Sequence, residues 1–95
     1  MTDRPTFDPP PTIVRAIERF ATRYELTDRE SAVLHLIFRG LKNESISEQL
    51  KISRPTVRFH TRNLHYKTNT SDIVDLVLKL WYEYSDHTPN SQGPN

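Results

Sequence analysis

The sequence predicts an all-α domain. Apolar residues recur every three or four positions along most of the chain, as they do on one face of a helix. Residues typical of helix ends interrupt this pattern at Thr27, Gly40 and Ser53. Only 2 Gly occur, and no long stretch alternates apolar and polar residues as a strand would. The 95 residues, of which 35% are hydrophobic, are enough for one small helical core.

The N-terminal part of the chain divides into a lead-in and a helix. Residues 1–11 contain four prolines and are expected to be disordered and extended. A helix is predicted over residues 12–24, capped by Thr12, with a connector ending at residue 25. Its apolar stripe consists of Ile13, Val14, Ile17, Phe20, Ala21 and Tyr24. The stripe either packs on the domain core, which is the favoured interpretation, or offers a surface to a protein partner or a second subunit.

Two further helices are predicted from their end signals. Thr27 and Glu30 have the spacing of a capping box, in which each side chain accepts a hydrogen bond from the other residue's backbone N–H. Gly40 is expected to end that helix, because Gly tolerates the left-handed conformation of a helix stop. Asn43 is then expected to cap a third helix, which carries Ile46 and Leu50.

The segment over residues 43–67 has the pattern of a helix-turn-helix. After a break at residues 51–53, Ser53 can cap a fourth helix. Pro55 falls in the first turn of this helix, where a missing N–H costs little. Val57 and Leu64 lie two turns apart on one face, which is expected to pack on the core.

A different face of this fourth helix carries arginines at every fourth residue. The basic residues between positions 49 and 71 are Lys51, Arg54, Arg58, Arg62 and Lys67, and no Asp or Glu separates them. The whole chain has 13 Lys+Arg against 12 Asp+Glu, so a local basic cluster lies on an otherwise acidic chain. A solvated helix face is the simple explanation of such a stripe. On the second helix of a helix-turn-helix, however, it indicates DNA binding.

The last predicted helix begins at Ser71 and Asp72 and ends at residue 84. It has more apolar residues than one packing face needs. The stripe expected to face the core is Ile73, Val77, Leu80 and Tyr84. The surplus predicts either a thicker core or a subunit interface, formed by Val74, Val77, Leu78 and Trp81. Residues 85–95 are expected to be a disordered tail.

Several functions are excluded by composition. The chain has no Cys, so disulfides, thiol catalysis and cysteine-ligated zinc are absent. The spacing of its 4 His is not that of a metal site, and 2 Gly are too few for a glycine-rich phosphate loop. We therefore expect no enzyme activity, cofactor, metal or small-molecule ligand. No apolar run could span a membrane and no signal peptide is visible, so a cytoplasmic, nucleoid-associated protein is expected.

Positions 26–80 resemble the LuxR/GerE-type helix-turn-helix domain of bacterial transcription regulators. The residues that carry the resemblance keep the family's order and spacing without a gap: Leu26, Thr27, Arg29, Glu30, Val33, Leu34, Leu36, Ile37, Gly40, Leu41, Asn43, Ile46, Leu50, Ile52, Ser53, Thr56, Val57, Arg58, His60, Asn63, Leu64 and Lys67. The resemblance implies a four-helix domain over residues 26–84, here with an additional N-terminal helix. It also implies that the recognition helix, at about residues 54–67, enters the major groove of DNA.

The resemblance further implies which side chains meet DNA. The positions of Arg58, Phe59 and Arg62 are those that usually contact bases, and Arg54 is expected to join them. An arginine fork can bond both O6 and N7 of guanine. Phosphate contacts are expected from Thr56 and Lys67, together with Ser53 and Lys51. Family members commonly pair through the last helix on inverted-repeat sites, so a homodimer on double-stranded DNA is expected.

Three departures from the family pattern leave other interpretations open. Glu44 and Ser45 stand where the family usually has a basic and an acidic residue, residues 68–70 replace a common Leu-Gly-Val turn, and Ile73 replaces a frequent Arg. A protein-interaction module that lost DNA binding is one alternative, and a sigma-factor region 4-like domain is another. Residues 1–25 are too few for a receiver or ligand-sensing domain, and Met1 with helix 12–24 favours a complete small protein.

Overall fold

A computed structural model describes residues 8–86, which form five helices and no strand. The helices are α1 (Pro11–Arg23), α2 (Asp28–Ile37), α3 (Asn43–Leu50), α4 (Arg54–Thr68) and α5 (Ile73–Asp86). The predicted all-α fold with an additional N-terminal helix is therefore confirmed. Of the expected lead-in, residues 1–7 lie outside the described residues, and Pro11 is already helical. Of the expected tail, residues 85–86 belong to α5 and residues 87–95 lie outside the described residues.

Two of the predicted helix starts are confirmed by their hydrogen bonds. The Glu30 N–H donates to Thr27 Oγ1 at 3.1 Å, and the Thr27 N–H donates to Glu30 Oε1 at 2.9 Å, which completes the capping box of α2. Ser53 Oγ accepts the Thr56 N–H at 3.2 Å at the start of α4. In both cases a side chain satisfies an N–H that has no partner within its helix.

Three other predicted starts are wrong by one or two residues. Thr12 is not a cap, because Pro10 is the N-cap and Pro11 already opens α1, with a fixed φ that suits a first helical position. Asn43 is the first residue of α3, not its cap, and no side chain caps that helix. Helix α5 begins at Ile73, not at Ser71, because Asp72 Oδ1 accepts the Asp75 N–H at 2.8 Å and so acts as the cap.

Two apolar clusters hold the helices together. The larger cluster consists of Ala16, Ile17, Phe20, Leu34, Leu64, Leu76 and Leu80, and the smaller of Val33, Ile46 and Val57. Helices α2 and α4 contribute to both clusters, since Val57 and Leu64 lie at different heights along α4. This double attachment fixes the orientation of α4. The apolar stripe of α1 faces the larger cluster, as the favoured interpretation expected.

The face of α5 that packs on the core agrees only in part with the predicted one, since Leu80 and Tyr84 were predicted but Leu76 was not. Leu76 and Leu80 are buried and Tyr84 packs beside them, whereas Ile73 and Val77 are exposed. The prediction of those two residues as core was wrong, because α5 is apolar at most positions and its periodicity does not single out one face. Contact with α1 determines which face is inward.

The turn between α4 and α5 accommodates its unusual sequence. Asn69 has φ 57°, in the left-handed region that Asn tolerates better than most non-Gly residues. Thr68 is fully buried, and its hydroxyl donates to the backbone oxygen of Leu64 at 2.8 Å. A polar side chain at this core position is therefore satisfied rather than left without a partner.

Candidate nucleic-acid interface

The exposed face of α4 carries the predicted base-contacting residues. Arg54, Arg58 and Arg62 are all exposed and follow one another at a spacing of about one helical turn. Phe59, with 51% of its surface exposed, lies beside Arg58 on the adjoining strip of the helix. The opposite face buries Val57, Leu64 and Thr68. Packing on one side thus leaves the guanidinium groups on the other side facing solvent.

The N-terminal end of α4 brings together three of the predicted phosphate-contacting residues. Ser53 Oγ and Thr56 Oγ1 are 2.8 Å apart, so the two hydroxyl groups form one cluster. Lys51 precedes them in the turn, is exposed and has φ 59°. Three donors of different reach therefore surround the start of α4, where the helix dipole also favours a negatively charged group.

Lys67 lies apart from this cluster and from the arginines. It follows Arg58 by nine residues, which places it about two and a half turns away on the opposite side of α4. Its Nζ donates to Glu30 Oε1 at 2.8 Å and to the backbone oxygen of Glu25 at 3.2 Å. Lys67 therefore joins α4 to the capping box of α2, and a DNA phosphate would have to share it with Glu30.

The predicted subunit-interface residues form an exposed apolar face on α5. Val74, Val77, Leu78 and Trp81 are all exposed, and Trp81 retains 56% of its surface. Ile73 and Tyr82 extend the same face. The prediction of a thicker core does not hold for these side chains, since Leu76 and Leu80 alone provide the fully buried apolar contacts of α5.

Sequence reasoning missed other exposed or groove-lining residues close to the arginines. Tyr66, 86% exposed, lies one turn beyond Arg62, and the four-residue spacing could have revealed it. A shallow groove beside α4 is lined by Asn43, Arg58, Thr61, Arg62, His65 and Ser71. Asn43 and Ser71 belong to other parts of the chain, so no spacing rule along α4 could have identified them.

Among the described residues, two other kinds of site have no structural support. None of the helices is long and apolar enough to cross a membrane. Within residues 8–84, no three His, Asp or Glu side chains are grouped so that they could hold a metal ion.

Comparison with known proteins assigns residues 24–80 of the chain to a family. The family profile described as "Bacterial regulatory proteins, luxR family" matches residues 24–80. The "Nitrate/nitrite response regulator protein homolog" of Haemophilus influenzae is 54% identical over 58 residues, which are 61% of this chain and 27% of that protein. The nitrate/nitrite response regulator protein NarP of Escherichia coli is 50% identical over 53 residues, covering 56% of this chain and 25% of NarP.

The HTH-type transcriptional regulator MalT of Vibrio campbellii is a relative that is much longer than this chain. It is 43% identical over 53 residues, which are 56% of this chain and 6% of MalT. The chain therefore spans little more than a quarter, at most, of these relatives. No solved structure matches it.

The profile match covers all of α2, α3 and α4 and most of α5, including every arginine on the exposed face of α4. Members of this family are DNA-binding regulators and not enzymes. The sequence match and the five-helix fold agree, and the chain belongs to the luxR family of bacterial regulatory proteins.

Proposed function

We propose that this chain binds duplex DNA as the DNA-binding part of a transcription regulator, with α4 in the major groove. The observation that carries the proposal is the exposed row of Arg54, Arg58 and Arg62 on α4. The major groove is wide enough for one α-helix, and both apolar clusters hold α4 in place from behind. The relatives named above are transcription and response regulators, which supports this function. The site of action would be the bacterial nucleoid.

Base reading would fall to the middle of α4. Arg58 and Arg62 can each bond O6 and N7 of a guanine, which discriminates against a wrong base by roughly 1–3 kcal/mol. Phe59 can contact a thymine methyl group, and Arg54 can reach a base near the start of the helix. Phosphate contacts would come from Lys51, Ser53 and Thr56 at the start of α4, and from Lys67 to the extent that Glu30 releases it.

Two copies of the chain would pair through α5. The exposed apolar face around Leu78 and Trp81 is the kind of surface that a second subunit buries. Two-fold pairing would present two α4 helices, which suits an inverted-repeat site. A protein partner on α1 would have to use its exposed outer side, because its apolar stripe is in the core.

The first test measures binding to random duplex DNA by fluorescence anisotropy over a series of salt concentrations. We expect binding that weakens steeply as salt rises, with a slope of about −0.9 for each phosphate neutralised. Arg19→Ala, on the exposed side of α1, is a matched control for variants of the α4 arginines. It also removes one arginine charge, but at a position far along the chain from α4. Absence of binding at low salt by a folded protein would contradict the proposal.

The second test separates base reading from phosphate binding. Arg58→Ala should reduce the preference for a selected operator over random DNA, by about 1–3 kcal/mol, because it removes a base contact. Lys51→Ala should weaken binding to both DNAs by a similar factor, because a phosphate contact is independent of sequence. If Arg58→Ala weakened both DNAs equally, its assignment as a base contact would be wrong.

A protein-interaction module is the second candidate function. The observations that favour it are the exposed Glu44 at the start of α3, which would repel a phosphate, and the apolar face of α5. Under this alternative the wild-type protein would fail the first test while remaining folded. It would still use the α5 face to bind another protein.

A further inference from the structure

A chain of hydrogen bonds at the end of α4 fixes the position of one histidine. Thr68 Oγ1 donates to the backbone oxygen of Leu64 at 2.8 Å. Thr68 Oγ1 and Thr70 Oγ1 are 2.9 Å apart, and Thr70 Oγ1 and His65 Nδ1 are 2.8 Å apart. The two threonines therefore connect His65 to the buried interior of the turn.

The number of protons available in this series of hydrogen bonds determines which nitrogen of the His65 ring carries a proton. A threonine hydroxyl has one proton to donate. Thr68 donates its proton to Leu64, so Thr70 must donate the proton in the bond between the two hydroxyls. Thr70 Oγ1 can then only accept from His65, so Nδ1 carries a proton. In the neutral ring, Nε2 is left as the unprotonated nitrogen.

The Nε2 atom of His65 has no hydrogen-bond partner among the described residues, and the ring lines the groove beside α4. This groove has a volume of about 370 Å³ and is lined by Asn43, Arg58, Thr61, Arg62, His65 and Ser71. The groove is shallow and open to solvent, so a phosphodiester group can approach the ring. Two guanidinium groups and one amide supply donors, whereas the hydroxyls of Thr61 and Ser71 already donate, to the backbone oxygen of Val57 at 2.9 Å and to Asp75 Oδ2 at 3.3 Å.

The charged groups around His65 come from three parts of the fold. Arg58 and Arg62 come from α4 itself. Lys42, which precedes α3, and Asp72, which precedes α5, line a neighbouring groove that shares His65. Asp72 is occupied in part as the cap of α5, where it accepts the Asp75 N–H. The surroundings of the ring are thus more positive than negative, which suits an anionic ligand.

We propose that a backbone phosphate of DNA binds at the His65 and Asn43 side of this groove, next to the arginines that would contact bases, and that His65 Nε2 donates to it when the ring is protonated. The proposal rests on the DNA-binding function proposed above. Protonation adds a charge and a donor at Nε2 while the Nδ1–H bond to Thr70 stays intact, so the turn does not rearrange. Binding of DNA then takes up a proton, and affinity rises as pH falls.

The decisive experiment measures DNA binding at two pH values in the wild type and in His65→Asn. The Asn amide can replace Nδ1–H as the donor to Thr70, but it has no counterpart of Nε2. Between about pH 8 and pH 5.5 we expect wild-type affinity for random duplex DNA to rise roughly threefold to tenfold, and its salt slope to steepen by up to about 0.9. His65→Asn should show the same salt slope at both pH values.

His60→Asn is the matched control, because His60 lies on α4 beside Phe59 and does not line the groove. This variant should retain the wild-type response to pH. Circular dichroism at both pH values establishes that each variant is folded. A pH response that persists in His65→Asn, or that disappears in His60→Asn, would overturn the role of His65.

A measurement without DNA tests the proton count independently. In a two-bond 1H–15N NMR spectrum at about pH 8, the neutral ring of His65 should carry its proton at Nδ1. A proton at Nε2 would overturn the proposal. If wild-type protein binds DNA with a salt slope that does not depend on pH, the groove proposal fails while DNA binding stands. If it binds no DNA at any pH, both proposals fail.

Discussion

At the scale of single residues, the ion pair of Glu30 with Lys67 combines a helix cap and a tertiary contact. The Glu30 side chain is only 4% exposed. Burial by itself raises the pKa of Glu30, but the Lys67 ammonium and the Thr27 N–H favour the ionised form and hold the pKa below its ordinary value. The pair links residues that are 37 positions apart, and so joins α2 to the end of α4.

This lowered pKa predicts a loss of stability in acid. Above the pKa of the unfolded chain, both states are ionised and the pair stabilises the fold fully. As pH falls through the lower pKa of the folded state, the carboxylate is protonated and this stabilisation is lost. Urea unfolding between about pH 7 and pH 3 should show a larger decrease in the wild type than in Glu30→Gln. Equal decreases in the wild type and in Glu30→Gln would contradict a lowered pKa of Glu30.

Two substitutions on α4, a test and its control, measure how much this ion pair contributes to stability. Lys67→Ala leaves the buried carboxylate without its cation, and we expect it to lower the free energy of unfolding at pH 7 by about 2 kcal/mol. Arg62→Ala removes an exposed charge from the same helix and should change the free energy of unfolding by less than about 0.5 kcal/mol. A similar small effect for both would show that Lys67 contributes little to the fold and is available to DNA.

At the scale of helices, α1 and the end of α5 extend the domain beyond the family match. Residues 24–80 match the family, and α1 precedes them. Phe20 is fully buried against α5, and the Arg23 guanidinium Nη1 lies 2.6 and 2.7 Å from the two carboxylate oxygens of Glu83. Helix α1 therefore covers Leu76 and Leu80, which would otherwise face solvent.

This packing predicts that α1 is required for stability. Phe20→Ala should lower the free energy of unfolding by about 3–5 kcal/mol, because it removes a buried ring and leaves a cavity. The total stability of a small domain is about 5–15 kcal/mol, so the variant should unfold at much lower urea concentration. Arg19→Ala, one residue earlier on the exposed side, is the control. An unchanged urea midpoint for Phe20→Ala would show that α1 is not part of the core.

At the scale of the whole molecule, the fold separates two exposed surfaces with different chemistry. The row of arginines lies on α4, and the apolar face around Trp81 lies on α5. The two clusters of the core both include α4, so its arginines are presented from a fixed support. One surface suits the phosphate and base edges of DNA, and the other suits an apolar partner such as a second copy of the chain.

The apolar face of α5 predicts a change in oligomeric state when a charge is placed on it. Trp81→Glu should give a folded monomer, because a carboxylate buried in a subunit interface would lack a partner. Sedimentation equilibrium, alone and with DNA, measures the mass. Arg15→Glu, on the exposed side of α1, is the control and should leave the proposed dimer intact. A folded Trp81→Glu variant with the wild-type dimer mass would exclude α5 as the interface.

The sequence by itself was sufficient for features that depend on residues a few positions apart. The capping box of Thr27 with Glu30 and the cap at Ser53 span three residues, and the arginine row on α4 repeats every fourth residue. Such interactions lie within one helical turn, so the order of residues determines their geometry. The family resemblance rests on the same local spacing and is confirmed by the profile match.

Only the tertiary structure decided which surfaces meet. Helix α5 is apolar on several sides, so its sequence could not show that Leu76 faces inward and Val77 outward; contact with α1 does. The sequence predicted Lys67 as a phosphate contact, like other basic residues in and near α4, but the fold places it against Glu30. The groove at His65 gathers residues from α3, α4 and the following turn. Contacts of this kind depend on how helices pack in space, which short-range spacing along the chain does not encode.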